Sequence, residues 1–112
     1  MSSLPLSPPL AAPEIVSEPL PNHVVNRGDD LVLDCNATGT RDPIYTWFFN
    51  GENLTELESE RIQVDEITGI LTIQDTVFFD YGNYTCFAVN EAGNDTQENF
   101  VRIQGLLSNH CW

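Results

Sequence analysis

Four N-x-T triplets, three cysteines and two histidines are the residues of this 112-residue chain that bear on chemistry. Asn36-Ala37-Thr38, Asn53-Leu54-Thr55, Asn83-Tyr84-Thr85 and Asn94-Asp95-Thr96 are acceptor triplets for N-linked sugar. With ten Asn and fifteen Ser and Thr in the chain, chance supplies roughly one such triplet, so four are an excess that favours an exported glycoprotein. Cys35, Cys86 and Cys111 allow one disulfide with one thiol left over, and Cys111, beyond the patterned region, is the odd one out. His23 and His110 have no Cys or carboxylate near them at metal-ligand spacing. The acidic pairs Asp29-Asp30 and Asp65-Glu66 lack the spaced Asp/Asn/Gly loop of a calcium site and read as solvated turns. There is no Gly-rich phosphate loop, no G-x-S-x-G and no H-E-x-x-H. The expectation is a protein that is not an enzyme, with no catalytic residue, metal, cofactor or small-molecule substrate.

Seventeen acidic residues against four Lys and Arg give a formal net charge of −13. Such a field repels phosphate backbones and anionic lipid heads, so nucleic acid and membrane surfaces are excluded as partners. No apolar run approaches the length needed to span a bilayer, so any membrane anchor belongs to other parts of a parent protein. The start, MSSLPLSPPLAAP, lacks a basic n-region and makes a poor signal peptide. An extracellular chain of this kind is expected to be a fragment, or a product whose export signal is not recognisable.

The elements that must position these groups are short strands. Residues 1–12 form a Pro-rich leader expected to be disordered, residues 13–104 one domain, and residues 105–112, GLLSNHCW, a tail without alternation. Helical periodicity is absent. Period-two segments at Glu14–Ser17, His23–Asn26, Leu31–Ala37, Tyr45–Asn50, Arg61–Glu66, Ile70–Gln74, Asn83–Asn90 and Asn99–Gln104 alternate with Gly, Asn, Asp and Pro turns, which predicts an all-β sandwich or barrel. The acidic stretch Glu52–Glu60 reads as too polar to bury and is expected to cross an open sheet edge.

Leu31, Leu33 and Cys35 share one face; Trp47 follows Cys35 by twelve residues; Tyr84 stands two before Cys86. With Pro13, Gly28, Asn50-Gly51, Leu71-x-Ile73, Asp80-x-Gly82 and Ala88-x-Asn90-x-x-Gly93, this pattern resembles the I-set domains of the immunoglobulin superfamily. Residues 86–103, CFAVNEAGNDTQENFVRI, are most similar to a domain of L1, neuroglian and neurofascin-type neural adhesion molecules. The resemblance implies two antiparallel sheets, A-B-E-D and A′-G-F-C-C′, with Greek-key connections. It implies a Cys35–Cys86 disulfide between strands B and F, beside a core signature of Trp47, Leu71, Asp80, Gly82 and Tyr84. Tyr84 would bond through its hydroxyl to the backbone upstream, and Arg61 would pair with Asp80.

Alternation on that frame turns Phe48 of strand C, Phe87 and Val89 of strand F and Phe100 of strand G outward, which predicts one contiguous apolar patch for a protein partner. The turns at Asn90–Asn94 and Gly39–Pro43 are secondary candidates. Asn36, Asn53, Asn83 and Asn94 all fall where sugar leaves the core undisturbed. The function expected is an extracellular adhesion or recognition module, secreted or at the cell surface, binding proteins such as other immunoglobulin domains or a second copy. A ligand-binding ectodomain module of a receptor tyrosine kinase or phosphatase, and an intracellular structural I-set domain, are the alternatives.

Overall fold

The computed structural model describes residues 11–39, 42–57 and 59–105. The tail beyond Gly105 with Cys111, most of the Pro-rich leader and part of the Gly39–Pro43 turn therefore lie outside the described residues. Among the described residues there are ten strands: β1 (Glu14–Ile15), β2 (His23–Asn26), β3 (Leu31–Leu33), β4 (Ala37–Thr38), β5 (Ile44–Phe49), β6 (Glu52–Asn53), β7 (Ile62–Val64), β8 (Leu71–Ile73), β9 (Gly82–Asn90) and β10 (Gly93–Gln104). One 3₁₀ turn, Phe78–Asp80, precedes β9.

β2-β10-β9-β5-β6 form one sheet and β3-β8-β7 the other, while β1 pairs with β4 at the end of the second. This is the A′-G-F-C-C′ and A-B-E-D order of the resemblance. Most strand bounds shift by a residue or two from the expectation, and three departures are larger. The run Leu31–Ala37 is broken into β3 and β4 on either side of Cys35. β10 starts at Gly93 rather than Asn99, paired with β9 from Gly93↔Asn90 onward. The Glu52–Glu60 stretch is not a bare crossing: Glu52 and Asn53 pair with Phe49 and Phe48, and Leu54 drops into the core at 4% exposure.

Between the sheets, alternate residues meet: Leu31, Leu33 and Cys35 from one side, Tyr45, Trp47, Tyr84, Cys86, Ala88 and Val101 from the other. Cys35 and Cys86 are disulfide-bonded across the sandwich. Trp47 is fully buried, and its indole N–H donates to the Gly69 carbonyl at 3.0 Å, so its one polar group is satisfied. Gly69, at φ +85, lies so close to the link between β3 and β4 that a Cβ would stand 2.1 Å from the Cys35 carbonyl oxygen.

Below the core, the Tyr84 hydroxyl donates to the Asp80 carbonyl oxygen. The Arg61 guanidinium bonds Asp80 through both nitrogens, at 3.1 and 3.2 Å, and also reaches the carbonyls of Gln74 and Asp75. The hydrogen bond to Asp80 foremost raises the Arg61 pKa. Asp80 further accepts the Val77 N–H at 2.8 Å, closing the 3₁₀ turn. Gly82, at φ +150, follows that turn, and a Cβ there would stand 2.8 Å from both Phe49 and Asn50, which accounts for the glycine of the Asp80-x-Gly82 motif.

The chain from Ile15 to Leu20 crosses from one sheet to the other, and β10 holds it with side chains. Asp95 Oδ2 accepts the Ile15 N–H at 2.9 Å, Gln97 Nε2 donates to the Ser17 carbonyl at 2.6 Å, and Asn99 Oδ1 accepts the Leu20 N–H at 2.9 Å. At the same end of the domain the Ala11 carbonyl accepts from Asn90 Nδ2 at 2.9 Å.

Candidate functional site

The outer face of the five-stranded sheet is set by register. Across β5, β9 and β10 the outward rows read Ile44/Val89/Asn94, then Thr46/Phe87/Thr96, then Phe48/Thr85/Glu98, then Asn83/Phe100. Phe48 and Phe87 are diagonal neighbours whose ring centroids lie 5.2 Å apart. Ile44 and Val89 stand directly opposite each other and are 48% and 43% exposed. These four residues make one apolar cluster, and a shallow groove of about 470 Å³ at its upper end is lined by Asp42, Ile44, Val89, Asn90 and Glu91.

Phe100 does not join it. The row of Thr85 and Glu98 separates it from Phe87, and it packs instead against Tyr81, edge to face with centroids 6.2 Å apart. The expected single patch is therefore two: an aliphatic–aromatic cluster on β5 and β9, and an aromatic pair at the foot of β9 and β10. Strand alternation gives the face of each residue but not its row, and the hairpin register supplies the row. Ile44 escaped the sequence analysis because Pro43 placed it in a turn. Its even spacing from Thr46 and Phe48 is the signal that finds it.

Three of the four N-x-T asparagines edge this same face. Asn53 lies opposite Phe48, Asn94 opposite Val89 and Asn83 opposite Phe100. Asn36 is exposed on the other side of the sandwich, beyond Cys35. At the Asn53 triplet, Asn53 Oδ1 accepts the Thr55 N–H at 2.8 Å and Thr55 Oγ1 accepts the Trp47 N–H at 3.0 Å.

A larger open groove, about 800 Å³, runs between Thr55–Leu57 and the β7–β8 hairpin. Its lining mixes Asp65 and Glu66 with Val64, Ile67 and Ile70, with no aromatic side chain. Among the described residues, no three His, Cys, Asp or Glu side chains come together in an arrangement that holds a metal ion. No helix among them is long and apolar enough to cross a membrane.

A two-sheet sandwich pinned by a disulfide beside a buried tryptophan, with a tyrosine hydroxyl bonded back to the turn before its strand, defines an immunoglobulin-type domain. The family model "Immunoglobulin domain" matches residues 12–90, and the chain belongs to that family. Hemicentin-1 of Mus musculus is 37% identical over 87 residues, covering 78% of this chain and 2% of that protein. The titin homolog of Caenorhabditis elegans is 36% identical over 88 residues, 77% of this chain and 0% of that protein to the nearest per cent. Among solved structures, immunoglobulin domains 1–4 of Sidekick-1 superpose with a TM-score of 0.77 at 25% identity, covering 85% of this chain and 25% of that one. The chain thus spans only a few per cent, or less, of the length of these curated relatives.

Proposed function

We propose that this chain is an extracellular protein-recognition module of an adhesion or cell-recognition protein, and that it docks another immunoglobulin-type domain on the β5–β9 face. The observation that carries the reading is the surface cluster of Ile44, Phe48, Phe87 and Val89, centred on two strands of a sheet whose other face packs on the core. The similarity of residues 86–103 to neural adhesion molecules supports the adhesion class. The Cys35–Cys86 bond and four surface N-x-T triplets support an oxidising, exported setting. Arg61 serves the fold in this reading, since its guanidinium is occupied by Asp80 and the β8 exit.

The test is sedimentation of the secreted chain over a concentration series, alone and with candidate immunoglobulin-domain partners, using Phe87→Ser and Phe48→Ser. Association that weakens at least tenfold in either variant, with melting unchanged, is the expected result. Association indifferent to both substitutions sinks the docking face. Reduced Cys35 and Cys86 in native material would overturn the extracellular setting.

A further inference from the structure

The aromatic pair at the foot of the sheet lies beside an acceptor asparagine. Asn83 lies directly across from Phe100 on the outward face, and Tyr81, two residues before it, meets Phe100 edge to face. Tyr81 is 57% exposed and Phe100 38%, so the two rings are open to solvent beside an acceptor asparagine. A groove of about 470 Å³ is bounded by Pro21, Asn83, Glu98 and Phe100.

The Asn83 backbone is held fast: its N–H donates to Asn50 Oδ1 at 3.0 Å, and its carbonyl accepts the Asn50 N–H at 2.9 Å. Asn83 as a whole is half-buried and lines this groove. Asn53 differs, because its side-chain oxygen and the Thr55 hydroxyl are both tied into local bonds with backbone N–H groups. Asn94 stands opposite Val89, and the Asn36 carbonyl accepts from the Val16 and Ser17 N–H groups, so the backbone partners of these two are not aromatic.

We propose that the N-linked N-acetylglucosamine on Asn83 is seated on Phe100 and Tyr81, so that the chain's own glycan covers the lower apolar spot. A pyranose ring presents a face of C–H bonds that complements the negative face of an aromatic ring, while its hydroxyls stay in water. The first sugar, tethered to Asn83, reaches both rings at little further cost in freedom, and Glu98 across the groove offers an acceptor to its hydroxyls. The proposal rests on the exported reading above. It gives Phe100 a role distinct from the β5–β9 cluster and leaves that cluster to the protein partner.

The experiment is secretion of the full chain from a glycosylating host, followed by glycopeptide mass spectrometry and melting. Melting is compared for the intact glycan, the glycan trimmed to a single N-acetylglucosamine, and Asn83→Gln, each with and without Phe100→Ser. Asn83 is expected to be occupied, and the trimmed form to melt about 3–5 °C above Asn83→Gln, a gain lost in the Phe100→Ser background. Nuclear Overhauser contacts between sugar protons and the Phe100 and Tyr81 rings are expected in the trimmed form. Occupancy at Asn36, Asn53 or Asn94 with Asn83 empty overturns the proposal and leaves the exported reading standing. An occupied Asn83 whose gain survives Phe100→Ser, without sugar-to-ring contacts, overturns it as well. Sugar on none of the four, together with free thiols, removes the exported reading and the proposal with it.

Discussion

Tyr84 buries its hydroxyl at the foot of the core and aims it at the Asp80 carbonyl. Burial first, and the negative charge of Asp80 second, push its pKa up, with Arg61 opposing. The folded state therefore keeps this proton where the unfolded chain releases it, above the ordinary phenol value near pH 10. The stability due to Tyr84 is fully present below that pH and is lost as pH rises toward the folded pKa. Tyr84→Phe is expected to cost about 1–2 kcal/mol at neutral pH, one buried hydrogen bond. The gap between parent and variant should then narrow above pH 10, because only the parent loses this contribution. Urea melts from pH 7 to 11 measure it, and a gap constant across that range would refute the assignment. The inward placement of Tyr84 was legible in the sequence, because Gly82, Tyr84 and Cys86 alternate with outward residues in one unbroken run, while its hydroxyl bond to the turn followed from the resemblance. The Asp80 contacts with Arg61 followed from the resemblance, not from periodicity.

Among the elements, β10 is where alternation misleads. Its inward positions Asp95, Gln97 and Asn99 are polar, so the apolar-in rule starts the strand only at Asn99, six residues late. Those side chains face inward to bond the backbone groups of the Ile15–Leu20 crossing that its few backbone bonds, from Val16 and Ser17 to the Asn36 carbonyl and from Phe100 to the Leu20 carbonyl, leave over. Asn99→Ala is expected to reduce the hydrogen-exchange protection of the Leu20 N–H by about tenfold, the equivalent of one such bond. Protection at the Cys86 and Trp47 amides in the centre of the sheet should stay unchanged. Equal loss at all three sites would mean that Asn99 stabilises the whole core and not the crossing. Leu54 was missed for a different reason: a single leucine among acids carries too little pattern to outweigh composition. Its burial follows from the short β5–β6 turn, which brings the Leu54 N–H to the Trp47 carbonyl at 2.8 Å.

For the molecule as a whole, the disulfide and the two-sided core carry the stability, and the outward face of the five-stranded sheet is the one proposed for recognition. Reduction of Cys35–Cys86, which closes a separation of 51 residues, is expected to remove about 4 kcal/mol and lower the melting temperature by about 15–30 °C. Calorimetry with and without reductant measures this, and an unchanged melt of verified dithiol protein would refute it. The parallel pairing of β2 with β10, His23↔Val101 through Asn26↔Gln104, has a mechanical consequence. Once β1 is peeled from β4, the chain runs into the start of β2 and out of the end of β10, so tension slides these two strands past each other. All four rungs bear load together, where an antiparallel hairpin pulled from its open end would yield one rung at a time. Once they part, the covalent link between Cys35 and Cys86 keeps the intervening 51-residue separation from paying out, withholding about 170 Å of contour length. Stretched between neighbours, the domain would act as a short leash with a firm catch.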